Sequence, residues 1–277
     1  MRTDKKNSIP STIVLLVAAF IVLFPIFWVL LTSLKSTQDF LVNIWGLPET
    51  YVWQNYAKAW EKTNFASNFS NSLLVTFGSM ALSVTLSVTT AYVIARYKFR
   101  LNAALKSIYV AALMVPSIIS LIPQYFLLDG MNLLDSRLGL VFVYGLAEIP
   151  FNVFMLLGFF QTIPHELEEA ALVDGADHYV TFFRIMLPLA QPGIVTVSVV
   201  NFISFWNEYY KAMVFMSTPE KFTIPVSLVN YTAQCQIRLS WGPLMASNML
   251  MIVPTIAVYC IFRKTIQAGL TAGAVKG

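Results

Sequence analysis

EAALVDGADHYVTFFRIMLP, residues 169–188, decides how this chain is read. It is a charged, ordered stretch inside a chain that is otherwise mostly hydrocarbon. Glu166, Glu168 and Glu169 crowd the first turns of a predicted helix, where the helix dipole favours negative charge. Pro164, just ahead, suits a helix start, where a missing N–H costs nothing. Leu167, Ala170, Ala171 and Asp174 share one face at helical spacing. Gly175 stands where a helix end calls for a left-handed residue. Asp177 is placed to cap a second helix through Tyr179, Phe182, Phe183 and Ile185, which Pro188 ends. The residues thus predict a helix, a hard turn and a helix. Two readings stay open on that basis: an amphipathic connector at a membrane surface, or a docking surface for another protein.

The surrounding chain sets the class. It is 57% hydrophobic and 12% charged, about half the charged share of an ordinary soluble domain, with mean hydropathy +0.67. That predicts an all-α integral membrane protein forming one domain over residues 1–277. The net charge of +4 is scattered and points to no nucleic acid. Six spans are predicted, over about residues 11–31, 71–95, 106–128, 138–160, 189–209 and 241–262, each near the length of about 20 residues that crosses a bilayer. The first begins like a signal peptide. Its apolar run is too long for one and no small-residue cleavage site follows, so it reads as an uncleaved helix with Pro25 as a kink. The second is rich in small residues, among them Gly78, Ser79, Ser83 and Ser87, which predicts that it faces other helices more than lipid. Asn55–Lys62 is a candidate interfacial helix, and residues 210–240 read as a polar loop. With both ends on one side, eleven Lys and Arg fall on that side and seven on the other; the excess is sharpest at span ends, as at Arg96, Lys98, Arg263 and Lys264. Basic residues collect in the cytoplasm, so both termini and residues 164–188 are predicted there. No inverted internal repeat is evident.

The spacing of the opening stretch narrows the two readings. Glu169-Ala170-Ala171, then Gly175, then Ile185, Leu187 and Pro188 resembles the cytoplasmic signature of permease subunits in binding-protein-dependent ABC importers. The likeness extends over nearly the whole chain and is to the maltose-type carbohydrate family, in its six-span subunit. Asn71-Ser72-Leu73, Ala91-Tyr92 with Ala95-Arg96-Tyr97-Lys98-Phe99, Trp206-Asn207-Glu208 and the tail from Gly269 to Gly277 all resemble family features. The resemblance implies a type I-like importer fold. It also implies a coupling helix between the fourth and fifth spans, seated in a cytoplasmic ATPase through Glu169, Ala170, Ala171, Gly175, Ile185, Leu187 and Pro188. It further implies a tail contact to that ATPase through Gly273, Lys276 and Gly277, although composition alone reads the tail as disordered. The partners implied are a second homologous permease, a dimer of cytoplasmic ABC ATPase, an extracytoplasmic solute-binding protein and the lipid bilayer of a bacterial inner membrane. ATP and magnesium belong to the ATPase, and this chain itself carries no cofactor. The expected cargo is a sugar or oligosaccharide; another polar solute such as glycerol phosphate, or a secondary carrier without an ATPase, are the alternatives.

Glu148 is the one carboxylate deep in a predicted span, where it is costly unless it faces protein or water. Tyr144 and Asn152, one turn either side, join it as candidates for the translocation path; the alternative is a structural polar contact between helices. Trp206 and Asn207 close the fifth span, either as path or outer gate residues or as an aromatic belt beside a cap. His165 and His178 have no neighbours at metal-ligand spacing. No phosphate-binding glycine loop of the G-x-x-x-x-G-K-[ST] type and no nucleophile–base pair occurs, so no enzyme is predicted. Cys235 and Cys260 predict no disulfide.

Overall fold

The structure is a computed structural model that describes the backbone of residues 8–274 and the side chains of residues 11–264. The regular structure among the described residues is all helical, with no strand. In order they form α1 (Ser8–Ser33), α2 (Thr37–Val42), α3 (Gln54–Lys62), α4 (Phe65–Arg96), α5 (Asn102–Leu113), α6 (Leu121–Gly130), α7 (Arg137–Ala147) and α8 (Ile149–Thr162). Then follow α9 (Glu166–Val173), α10 (His178–Thr181), a π-helical turn (Phe182–Met186), α11 (Leu187–Leu189), α12 (Gln191–Trp206), α13 (Tyr210–Phe215), α14 (Ile224–Arg238) and α15 (Trp241–Ala274). Lys276 and Gly277 of the predicted tail contact lie outside the described residues; Gly273 falls in the last turn of α15.

Among the described residues, three helices are long and apolar enough to cross a membrane, over residues 11–33, 65–96 and 241–264. Two more spans result if each bent pair counts as one: α7 with α8, bent by 43°, and the helical run His178–Leu189 with α12, bent by 69°. The bends have local causes. Pro150 sits in the first turn of α8, and Pro188 and Pro192 bracket the break at Ala190, so proline removes helical N–H donors at both places. The predicted third span is interrupted. α5 ends at Leu113 and α6 begins at Leu121, with Pro116 between them. Pro123 falls in the first turn of α6, where no donor is missed.

The chain forms two compact units. One draws on residues up to Ala66 and on Ser227–Pro254; the other on Ser67–Val226 and from Thr255 onward. In the first unit, Asn55 on α3 donates to the Ser33 and Lys35 carbonyls, both at 2.8 Å. Gly242 keeps that knot possible, because a Cβ there would lie 2.4 Å from the Asn55 Nδ2 and 2.5 Å from the Lys35 carbonyl oxygen. The segment read as a polar loop contains the fifteen-residue α14. Leu228, Tyr231 and Cys235 recur on one of its faces and pack with Leu244 and Trp241, an amphipathic pattern masked by the polar residues between them.

In the second unit α4 buries a column of small polar residues, Ser72, Thr76, Ser79, Ser83 and Ser87. Their size permits close helix approach: a Cβ on Gly145 of α7 would meet the Ser79 carbonyl oxygen at 3.0 Å. The second span thus does face other helices. By contrast Leu15, Phe20 and Val22 of α1 are exposed, as suits a lipid-facing helix.

Candidate functional site

The first helix, the turn and the second helix's cap fold as the residues predict. α9 carries Glu166, Glu168 and Glu169 in its first turn. Gly175 follows with φ +81°, its N–H bonded to the Leu172 carbonyl at 3.1 Å while the Ala176 N–H reaches the Ala171 carbonyl at 2.9 Å. Those two bonds close the helix end around a left-handed residue. Asp177 then caps α10, its Oδ1 accepting from the Val180 N–H at 2.7 Å. The second helix differs from the expected regular one. Four α-helical residues pass into the π-helical turn at Phe182–Met186, just before Pro188, which has no N–H to offer a helical partner. Phe182 and Met186 are buried; Ile185 and Leu187 are half-buried.

The exposed residues of this segment include several large apolar ones set among charged ones. Val173 is 87%, Tyr179 74% and Phe183 58% exposed, with Leu167, Ala170 and Leu172 also open. Glu169 and Pro188 are exposed beside them. Ala171 is buried against its own chain, so the close approach its small side chain permits is internal.

Arg96 at the end of α4 holds this segment in place. Its guanidinium donates through Nη2 to the Ile163 carbonyl at 2.7 Å, and its Nε lies 3.5 Å from the Glu168 carboxylate. The two side chains are 2% and 14% exposed. Next along, the Tyr97 hydroxyl and the His178 Nδ1 are 3.2 Å apart. Tyr92 packs on Phe182 with ring centroids 4.8 Å apart. One helix end therefore grips both arms of the segment. Glu168 and Arg96 are the residues sequence reasoning left without a role here.

The path candidates separate. Asn152 is fully buried, its Nδ2 donating to the Ser83 hydroxyl at 2.8 Å, so it joins α8 to α4. Tyr144 is buried and donates to Glu208 Oε2 at 2.5 Å. Glu208 in turn accepts from the Lys211 and Ala212 N–H groups, at 2.9 and 3.2 Å, and so caps α13. Trp206 is buried with its ring stacked on Phe202, while Asn207 is exposed and bonds back to the Ile203 carbonyl at 2.7 Å. Glu148 occupies the break between α7 and α8, half-buried, with Lys211 as the cation that acts on it. Of the five candidates, Glu148 is the one that sits at such a break. Lys211 lies near enough to act on it through its charge, without forming an ion pair.

A second polar knot lies between the loop before α7 and the loop after α13. The Asp135 carboxylate accepts from the Ser217 N–H at 2.9 Å, the Thr218 N–H at 3.0 Å, the Thr218 hydroxyl at 2.6 Å and the Lys221 ammonium at 2.7 Å. Burial opposes ionisation, but these four donors outweigh it and hold the carboxyl well below the usual carboxylate range. A depressed pKa means stabilisation that is full above about pH 4, the unfolded value, and lost as the pH falls below it. Asp135→Asn should therefore lower stability at pH 7 by about 1–3 kcal/mol. It should also flatten the loss of melting temperature below about pH 4. Melting curves of the purified protein in detergent across pH check this; a variant as acid-sensitive as the parent would count against the knot. Both cysteines are free, and no group of three potential metal ligands occurs among the described residues.

Comparison with known proteins places this geometry. Residues 83–272 match the family model described as binding-protein-dependent transport system inner membrane component. The diacetylchitobiose uptake system permease protein NgcG of Streptomyces coelicolor is 32% identical over 274 residues, covering 99% of this chain and 91% of that protein. The sulfoquinovosyl glycerol transport system permease protein SmoH of Agrobacterium fabrum is 33% identical over 256 residues, covering 92% and 89%. Among solved structures, a chain of a bacterial ABC transporter involved in the import of the acidic polysaccharide alginate superposes with a TM-score of 0.81 at 24% identity. It covers 95% of this chain and 98% of that one, a likeness of fold.

Proposed function

This chain belongs to the family of binding-protein-dependent transport system inner membrane components, and from that premise we propose that it is the membrane-spanning permease subunit of an ATP-driven importer. Its cargo is a sugar or oligosaccharide delivered by an extracytoplasmic solute-binding protein, the class of solute that the names of its relatives carry. It is not an enzyme; ATP is hydrolysed, with magnesium, in partner subunits. It works beside a second permease in a bacterial inner membrane, with six spans counting the interrupted α5–α6 as one, and with both termini in the cytoplasm.

The observation that carries the reading is the group of large apolar side chains left exposed, among charged ones, on the tightly braced segment at residues 166–188. Val173, Tyr179 and Phe183 offer side chains to a partner, and Glu169 offers a charge beside them. The Gly175 turn fixes the angle between the two arms; Arg96 ties the first to the end of α4, and Tyr92 and Tyr97 hold the second. A force applied by two closing ATPase subunits then reaches the spans as a rigid-body motion. The tail at Gly273, Lys276 and Gly277 adds a second contact to the ATPase.

Cysteine placed at Val173, in a background with Cys235 and Cys260 replaced by serine, should cross-link to an ATPase subunit in membranes, and the yield should change with ATP. No cross-link to any cytoplasmic subunit would contradict the docking role. For the path, Glu148→Gln should slow uptake several-fold at unchanged protein level, because the one carboxylate at the α7–α8 break is lost. Asn152→Ala should leave solute affinity alone and lower thermal stability by about 1–3 kcal/mol through the lost bond to Ser83. Uptake kinetics and melting curves on the two variants check both.

A further inference from the structure

Between α3 and α14 the first unit has a recess of about 290 Å³. Its walls include Lys58 and Lys62, one turn apart on α3, and Arg238 at the end of α14. Ser36, Asn55 and Gln234 add polar groups. No carboxylate lines it. Asp39, Glu49 and Glu61, the acidic residues of this unit among those described, are absent from its walls. None of the three cations has an ion-pair partner among the described residues. Like charges at adjacent turns of a helix repel, and no carboxylate in the walls of the recess offsets them.

The recess is also firm. Asn55 is buried, and its amide is fixed on the Ser33 and Lys35 carbonyls. Tyr231 and Cys235 on α14 are buried at its back. Positive side chains gathered round a fixed, uncharged floor favour one bound oxyanion of side-chain size.

We propose that this recess seats an aspartate or glutamate side chain of the solute-binding protein. The proposal rests on the reading given under Proposed function, which puts the stretches before α4 and before α15 outside the cell, where that protein approaches. A protein-borne carboxylate suits the site better than a free ion. The three cations are exposed, and at exposed charges a lone small anion is weakly held and screened by salt. A carboxylate on a docking surface is held by the rest of the interface as well. Charges of this kind act first on the rate of encounter.

The test uses the whole complex, both permeases and the ATPase, in lipid nanodiscs with the cognate solute-binding protein added. The variant is Lys58→Gln, Lys62→Gln, Arg238→Gln, three exposed positions whose replacement leaves the core intact. Its affinity for the binding protein should fall about ten-fold or more, and its association rate should lose most of its salt dependence. ATPase activity without binding protein should stay at the parent level, which shows that the complex is assembled. In a second variant, Lys58→Glu with Lys62→Glu, a matching Asp or Glu→Lys change on the binding protein should restore binding. Unchanged affinity in the glutamine variant overturns the proposal while leaving the importer reading intact. Inorganic phosphate that raises the melting temperature of the parent but not of the variant, with binding-protein affinity equal in both, makes this a free-anion site and overturns it too. A binding protein that never engages the parent complex overturns the importer reading itself.

Discussion

Gly175→Val is expected to lower solute uptake about ten-fold or more while the protein still inserts in the membrane. The reason is conformational. A Cβ at Gly175 would meet nothing within 4 Å, so no clash is involved. The backbone instead sits at φ +81°, in the region where a β-branched residue is most strained. Holding a non-glycine residue there costs about 1–3 kcal/mol. About 1.4 kcal/mol is a ten-fold change in the population of the native turn. If the turn opens, α9 and α10 lose their fixed angle and the docking face disperses. Asparagine tolerates the left-handed region better, so Gly175→Asn should keep most of the uptake. Uptake normalised to membrane-embedded protein separates the two variants. Equal and near-parental activity in both would show that the turn geometry does not matter.

Arg96→Ala is expected to uncouple the machine. Its guanidinium is nearly fully buried and holds the Ile163 carbonyl and the Glu168 carboxylate together. Truncation leaves Glu168 with only His165, 3.8 Å away, as a salt-bridge partner. Breaking a buried pair from one side costs about 3–5 kcal/mol; the partial exposure of Glu168 puts this case toward the lower end. Uptake should fall by an order of magnitude or more, while the complex keeps basal ATP hydrolysis that no longer responds to solute. Arg96→Lys keeps the charge but not the forked geometry and should rescue only in part. Removing Glu168 as well should restore some stability without restoring uptake, because the tether is still missing. Parallel measurements of ATP hydrolysis and uptake test this, and a variant that transports normally would contradict it.

Local signals carried much of this from the sequence. The capped helix, the left-handed Gly175 and the Asp177 cap depend on residues within a few positions of one another, so spacing alone reveals them. The small-residue face of α4 was legible for the same reason. What escaped was the partner of each polar group. Glu168 and Glu169 look equivalent on paper, yet only Glu168 meets Arg96, because the pairing is set by the packing of α4 on the segment. The link between Glu148 and Lys211 was hidden likewise by distance along the chain. Helix breaks were half legible. Pro116, Pro123 and Pro150 were visible, but whether a proline interrupts a helix or begins one depends on where the helix starts. α14 is hard to read in sequence because the three positions that pack with Leu244 and Trp241 are separated by asparagine, threonine and glutamine.

The central claim, that this chain is moved by ATP through the segment at residues 164–188, is tested most directly by uptake into proteoliposomes holding the complete complex. Solute-loaded binding protein is supplied outside, and ATP is supplied inside or withheld. The account predicts uptake that requires both, is blocked by vanadate, survives a proton uncoupler and is lost in Gly175→Val. Uptake that continues without ATP and collapses with the proton gradient would contradict it.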